Sequence, residues 1–388
     1  MNPIINPAIL LSPVENGYIA YDPVAERLHQ LNPVAALIAE LCDGSRSAEE
    51  IRQLVAPIMP EGKIGEIDRW MEEASKAGIL VANGAAAGSL RVLGPEELYK
   101  LARRLKEYGM VQPTYLCLKR VVELKPEDWN AWYYLGDAAL NLGRRGEARD
   151  SYQKYFTAHP EDAEIEHLLV ALRDETPPPR APDRTIQCIY KDFADHYESL
   201  MCKDLKYQGP ERIQEGIRAV IGEARALDVL DLGCGSGLSG VALKPFAARM
   251  TGLDLSPEML ALARARNIYD RLEVAEITEW LEQTSEDFDL IAVCDCLIYF
   301  GDLRRIVAAA ANRLRPGGIF AMSMERGDRY PFRLTDTGRY EHHPDHVREA
   351  ATAAELAVER LDEAFLRMEH GVRVMGIYAV LQKRPTSR

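Results

Sequence analysis

Apolar and polar positions follow three successive rhythms along the 388 residues. Near the start, ENGYIAYDPVAERLHQLN (15–32) predicts two short strands around Asp22-Pro23. PVAALIAELCDG follows as an apolar helix opened by Asn32-Pro33 and closed by Gly44. Ser47 with Glu50 opens a second helix. A third helix over roughly 64–79 leads into a short strand, AGILV (77–81).

The middle of the chain carries helical spacing with a repeat. WYYLGDAALNLGRRGEARDSYQKYFTAHP places Trp132, Leu135, Gly136, Ala148, Tyr152 and Pro160 at tetratricopeptide spacing. A weaker copy lies 34 residues earlier at Leu98, Leu101, Ala102, Thr114, Leu118 and Pro126. This segment resembles tetratricopeptide repeats, and EDAEIEHLLVAL (161–172) is expected to cap the stack.

From residue 226 onward, buried-type strands alternate with helices. ALDVLDLGCGSGLSGVAL runs from strand through a glycine turn into a helix, and ARMTGLDLSPEMLALARAR ends its strand at Asp254. DRLEVAEITEWL ends a third strand at Glu276 and Ile277; FDLIAVCDCLIYFGDL runs a fourth into Asp295 and Tyr299. LRPGGIF precedes a fifth.

Two seams divide the chain. NGAAAGSLRVLG (83–94) has the composition of a flexible joint, and DETPPPRAPDRT (174–185) that of a stiff, extended spacer. The expected domains are therefore 1–83, 94–173 and 186–388.

Composition adds exclusions. The net charge of −13 argues against broad nucleic-acid or anionic-membrane binding. No apolar run approaches membrane-spanning length and no signal peptide is apparent, so the expected compartment is the cytoplasm. The seven cysteines, at 42, 117, 188, 202, 234, 294 and 296, lack zinc spacing and fit reduced core positions. No metal site is expected from them or from RYEHHPDHVREA (339–350).

The chemistry concentrates in the last segment. Gly233, Gly235 and Gly237 let a ligand approach the backbone, although GxGxxG alone is shared by several nucleotide folds. An acid two residues before the first glycine, Asp231, suits a cationic ligand with an amino group better than a pyrophosphate. Asp254 can accept both hydroxyls of a ribose, and Glu276 with Ile277 suits an adenine amino group and face. LDLGCGSG, GLDLSPEML and LRPGGIF together resemble the class I S-adenosylmethionine-dependent methyltransferases across roughly 186–384.

That resemblance implies an α/β, Rossmann-like sheet of seven strands with helices on both faces, and S-adenosyl-L-methionine as cofactor. It places Asp231 and the turn Gly233, Cys234, Gly235 and Gly237 at the methionine part and Asp254 with Leu255 at the ribose. Glu276 and Ile277 fall at the adenine, and Asp295 at the methyl-bearing end. YKDFADHYESLM (190–201) resembles the cap helix that closes over the cofactor in small-molecule relatives, with Tyr190, His196 and Tyr197 lining the pocket. CDCLIYF stands where amide- and nucleobase-methylating relatives carry Asn/Asp-Pro-Pro-Tyr, which favours an oxygen acceptor, carboxylate or hydroxyl. Candidates for an acceptor base or pocket residue are His196, Tyr197, Tyr299, His342, His343 and His346.

The first 83 residues hold six Lys/Arg against twelve Asp/Glu, so their helix-turn-helix look does not signify DNA. GYIAYDP…LHQLNPVAALIAELCDG…SAEEI resembles the PqqD-like family, the winged-helix RiPP recognition elements. The resemblance implies capture of a precursor's leader peptide as an added strand along Arg27, Leu28, His29, Gln30 and Leu31. The expected protein is a peptide-modifying O-methyltransferase, with a homodimer as its expected assembly. Alternatives are a methyltransferase for a small metabolite or folded protein, and a non-catalytic peptide-binding scaffold.

Overall fold

The computed structural model describes residues 2–60, 63–84, 91–222, 226–369 and 371–385; the side chains of 192–196, 202 and 204 lie outside that description. The chain divides into two compact units, Met1–His159 and Pro160–Arg388.

The first unit opens with β1 (Pro3–Ile5), β2 (Leu10–Val14), β3 (Gly17–Asp22) and β4 (Arg27–Leu31). Strands β2, β3 and β4 form an antiparallel meander in that order, so β4 is an edge. Three helices follow: α1 (Pro33–Leu41), α2 (Ala48–Val55) and α3 (Gly65–Lys76). Asn32 caps α1 through the Ala35 amide, and Ser47 and Glu50 make a reciprocal capping box on α2, as the sequence predicts. Strand β5 (Leu80–Ala82) returns to pair antiparallel with β1. Ala20, Leu31, Ile38, Ile51, Ile67 and Leu80 share one apolar core.

Helices α4 (Pro95–Glu107), α5 (Val111–Leu124), α6 (Trp129–Asn141) and α7 (Arg145–Ala158) complete the unit. Their pairing follows the repeat: a Cβ on Gly136 would stand 2.6 Å from the Tyr152 ring, so only glycine lets α6 and α7 come this close. These helices and the opening strands form one body. Arg144 donates to Ser12 Oγ and to the Pro13 carbonyl, both at 2.9 Å, and Arg104 pairs with Glu26. Residues 83–94 therefore join parts of one compact unit; positions 85–90 lie outside the described residues.

The second unit begins with α8 (Ala163–Leu172), the expected cap of the helical stack. Within this unit Thr185 Oγ1 donates to the Ala163 carbonyl at 3.0 Å, and His167 Nε2 lies 3.1 Å from the Gly338 carbonyl. The proline-rich stretch is likewise bound and is no free spacer. The Ala181 amide donates to the Tyr299 carbonyl at 2.7 Å, and those of Gly301 and Asp302 donate to the Pro179 carbonyl. Tyr340 OH donates to the Pro178 carbonyl at 2.7 Å. Proline lacks the amide but keeps its carbonyl, which is what this strap uses.

The remaining elements are α9 (Asp183–Ser199), α10 (Gly209–Ile221), β6 (Leu227–Leu232), α11 (Leu238–Leu243), β7 (Ala247–Asp254), α12 (Pro257–Ala265), β8 (Arg271–Val274), α13 (Ile277–Gln283), β9 (Phe288–Val293), α14 (Arg304–Arg313) and β10 (Leu314–Arg326). Then come β11 (Phe332–Leu334), β12 (Tyr340–His342), α15 (Pro344–Ala353), β13 (Leu356–Glu369) and β14 (Val372–Lys383).

Seven strands line up as β8–β7–β6–β9–β10–β14–β13, with β14 antiparallel to its neighbours and the first five mutually parallel. Short β11 and β12 extend the tip of β10. Alternate residues of the inner strands enter two apolar layers: Leu230, Ile291 and Phe320 on one face, Val229, Leu290 and Ile319 on the other. The expected seven-stranded α/β architecture is present. Strand order reverses between β6 and β9, and ligands of such sheets bind beyond the carboxyl ends at that point. No described helix is long and apolar enough to cross a membrane.

Candidate active site

A cavity lies at that switch point. It is lined by Gly233 and Gly235 after β6, Asp254 and Leu255 at the end of β7, and Glu276 and Ile277 at the start of α13. Cys294, Asp295 and Cys296 after β9 and Tyr190 and Tyr197 of α9 complete most of the wall. Eight of the eleven residues expected at the cofactor therefore border one space.

The turn is built for close approach. Gly233 has φ 65°, and a Cβ there would fall 2.5 Å from Cys296 Sγ, so a side chain is both strained and obstructed. The Gly235 amide donates to Asp254 Oδ2 at 2.8 Å, and the Ser256 amide to Asp254 Oδ1 at 2.9 Å. Burial raises the pKa of this carboxyl above the ordinary value. Each Asp254 oxygen retains a second lone pair, which is what a vicinal diol requires.

Glu276 stands at the start of α13. Its Oε2 caps the helix by accepting the Glu279 amide at 2.8 Å, while buried Oε1 has no hydrogen-bond partner. Arg180 Nε lies 3.9 Å from that free oxygen. An unsatisfied buried acceptor beside the apolar Ile277 fits an exocyclic amino group on a flat ring. Arg180 is not legible as a site residue in the sequence, because the proline run around it has the look of a solvated linker. Ile186, Met259 and Phe300 also line the cavity unforeseen.

Three expected residues do not border the cavity. Asp231 points to the Val229 face of β6, where its Oδ2 accepts from Tyr269 OH at 2.6 Å and Ser239 Oγ at 2.8 Å. Burial pushes its pKa up to about 6. Cys234 is buried, its amide donating to the Leu253 carbonyl, and Gly237 caps α11 in the left-handed region. These residues shape the turn from beneath.

At the β9 end, Asp295 adopts φ 54°, an uncommon conformation for a residue with a side chain and a mark of functional positions. Ser323 Oγ accepts its amide at 2.9 Å. Its Oδ2 accepts from Arg367 Nη1 at 3.1 Å, and its buried Oδ1 has no partner. Burial outweighs the arginine and pushes this carboxyl up to about 6. Tyr299 OH donates to Tyr190 OH at 3.1 Å, and both phenols are held well in the neutral range by burial. A second cavity borders Tyr299 too, lined by His167 and Leu168 of α8 with Thr337 and Arg339.

The histidines expected as bases stand apart. His342 is fully buried, with Nδ1 3.5 Å from His346 Nδ1 and Nε2 3.4 Å from the Leu297 carbonyl. Desolvation holds it neutral, its pKa lowered to about 3, and lowers His346 in the same direction. His343 caps α15 by accepting the Asp345 amide. None of the three lines the cavity. The cluster EHHPDH thus serves a strand end and a helix cap. The side chain of His196 lies outside the described residues. Tyr197 and Tyr299, by contrast, both line the cavity.

Comparison with known proteins agrees with this geometry. Residues 229–318 match the family described as methyltransferase domain, and residues 129–172 match a tetratricopeptide repeat family. The ubiquinone biosynthesis O-methyltransferase of Xylella fastidiosa is 34% identical over 143 residues, covering 33% of this chain and 58% of that protein. Its counterpart in Xanthomonas campestris is 29% identical over 148 residues, covering 34% and 62%. The chain thus spans less than two thirds of the length of these relatives. Among solved structures, a Burkholderia thailandensis 1,6-didemethyltoxoflavin-N1-methyltransferase, with its substrate and S-adenosylhomocysteine bound, is 22% identical. It covers 54% of this chain and 93% of that one at a TM-score of 0.42. The second unit carries a methyltransferase domain, and its cofactor is S-adenosylmethionine.

Proposed function

We propose that this chain transfers a methyl group from S-adenosylmethionine to an oxygen of a precursor peptide that its first unit holds by the leader. The observation that carries the transferase reading is the joint placement of Asp254, Glu276 and the glycine turn around one cavity. When bound, the cofactor supplies an electrophilic methyl on a sulfonium. The chain's own task is to orient and to exclude water. Asp254 would accept the ribose hydroxyls while the Gly235 and Ser256 amides hold its carboxylate in place. Glu276 Oε1 would accept the adenine amino group, and Ile277 and Leu255 supply apolar cover.

The peptide reading rests on β4. It is an edge strand with Leu28 47% exposed, and an edge offers unpaired main-chain groups to an added strand. Leu31 at its end is buried and serves the core. Tethering through a leader would raise the local concentration of the attached acceptor to about the millimolar range. A second reading, a free small acceptor, is favoured by the names of the curated relatives.

Calorimetry of the whole chain with S-adenosylhomocysteine tests the transferase reading, which requires a single site. Methylation of candidate precursors with and without their leaders then separates the two acceptor readings; equal rates would remove the peptide.

A further inference from the structure

Behind Asp295 lies a group of buried charges that cofactor binding does not use. Arg367 on β13 is 4% exposed, and its guanidinium pairs with Asp295, with Glu325 of β10 and with Glu369. Arg339 joins the same group, donating from Nε to Glu325 Oε1 at 2.7 Å and pairing with Glu369. Asp295, Glu325 and Glu369 thus gather around the two guanidiniums of Arg367 and Arg339. Other groups facing Asp295 are Tyr197, Tyr299, Tyr207, Tyr378 and Cys294, all pushed toward their neutral forms by burial.

The group meets the cavity at Asp295. Glu325 and Glu369 are engaged by both arginines, whereas Asp295 has one oxygen on Arg367 and the other, Oδ1, buried without a partner. If Asp254 takes the ribose and Glu276 the adenine, the wall formed by Tyr197, Cys294 and Asp295 is left for the sulfonium end. This step rests on the proposed transferase function.

We propose that Asp295 is the proton acceptor for methyl transfer, that Arg367 is its positioning residue, and that the acceptor is therefore a hydroxyl rather than a carboxylate. The acceptor's O–H bond breaks and its proton passes to Asp295 Oδ1. Its oxygen forms the new bond to the methyl carbon as the carbon–sulfur bond breaks, and that electron pair stays on sulfur. The charges balance: carboxylate and sulfonium become carboxylic acid and thioether. An ionised carboxylate acceptor has no proton to lose, and it would sit against like charge in a desolvated wall.

The test needs no identified acceptor. Sinefungin carries an ammonium where S-adenosylmethionine carries its methyl-bearing sulfonium, and S-adenosylhomocysteine carries neither. Calorimetry of the whole chain should show sinefungin binding about tenfold or more tightly than S-adenosylhomocysteine, because Asp295 Oδ1 receives a charged donor. Asp295→Asn, isosteric and tolerant of left-handed backbone, should erase that preference while S-adenosylhomocysteine affinity stays within about twofold. Asp295→Ser provides the same comparison if the amide disturbs Arg367. Failure of the wild-type chain to bind S-adenosylhomocysteine would count against the transferase function itself. Binding of S-adenosylhomocysteine with no sinefungin preference, or with a preference that survives both substitutions, overturns only the role of Asp295.

Discussion

The Gly235 amide donates to Asp254 Oδ2 at 2.8 Å, tying the glycine turn after β6 to the last residue of β7. This contact adds to the main-chain pairing of β6 with β7 and to the Cys234–Leu253 bond at the strand ends that flank the cavity. Asp254→Ala removes this tie together with the expected acceptor for two ribose hydroxyls. Hydrogen bonds to a charged group are typically worth ~1.5–3 kcal/mol each. S-adenosylhomocysteine affinity should drop by about tenfold to a hundredfold or more in calorimetry. Unchanged affinity would show that the ribose is held elsewhere.

Arg180 tests whether the proline strap belongs to the site. Its guanidinium lies beside the free oxygen of Glu276 and 5.9 Å from the Phe300 ring centroid. Arg180→Ala should weaken cofactor binding by about threefold to tenfold, the scale of one partly buried polar contact. Arg184→Ala is the comparator. Arg184 is mostly exposed and pairs with Glu166, so its loss should change cofactor affinity little.

The buried histidines predict acid sensitivity. His342 has a folded pKa lowered to about 3, and His346 is shifted the same way, from an ordinary value of 6.5. The unfolded chain takes up protons that the folded state refuses, so this stability is fully present above about pH 6.5. It falls as pH drops from there toward 3, by an amount on the order of a few kcal/mol. Urea midpoints of the whole chain should decline between pH 7.5 and 5. His342→Phe should flatten part of that decline; an unaltered slope would place the acid sensitivity in other groups.

The β4 edge makes the leader hypothesis testable one residue at a time. Proline at Leu28, His29 or Gln30 removes one amide from the strand. At least one of these should abolish leader binding in fluorescence anisotropy while cofactor affinity stays intact, because Asp254 and Glu276 belong to the other compact unit. Leader binding that tolerates all three would move the site away from this edge. A truncation meant to remove leader capture should begin at Pro160. One beginning near Gly94 would strip α4–α7 of the strands that Arg104 and Arg144 bind.

The sequence alone determined the features whose partners lie close along the chain. Capping pairs three residues apart, a glycine turn between strand and helix, and acids closing successive strands are local patterns. They led to the alternating strands and helices and to Asp254 and Glu276, and the resemblance they carry implied the seven-stranded sheet and the place of Asp295. Tertiary packing decided the rest. Arg367 reaches Asp295 from 72 residues away, and the strap carbonyls of Pro178 and Pro179 meet partners more than a hundred residues downstream. Such contacts leave no periodic trace, because a proline-rich stretch has the same composition in solvent or against a sheet. The histidines near 342 show the converse: a sequence rich in bases, which burial made neutral and turned into packing. Chemistry can be inferred from neighbours in sequence, whereas the charge a side chain carries is set by what surrounds it in space.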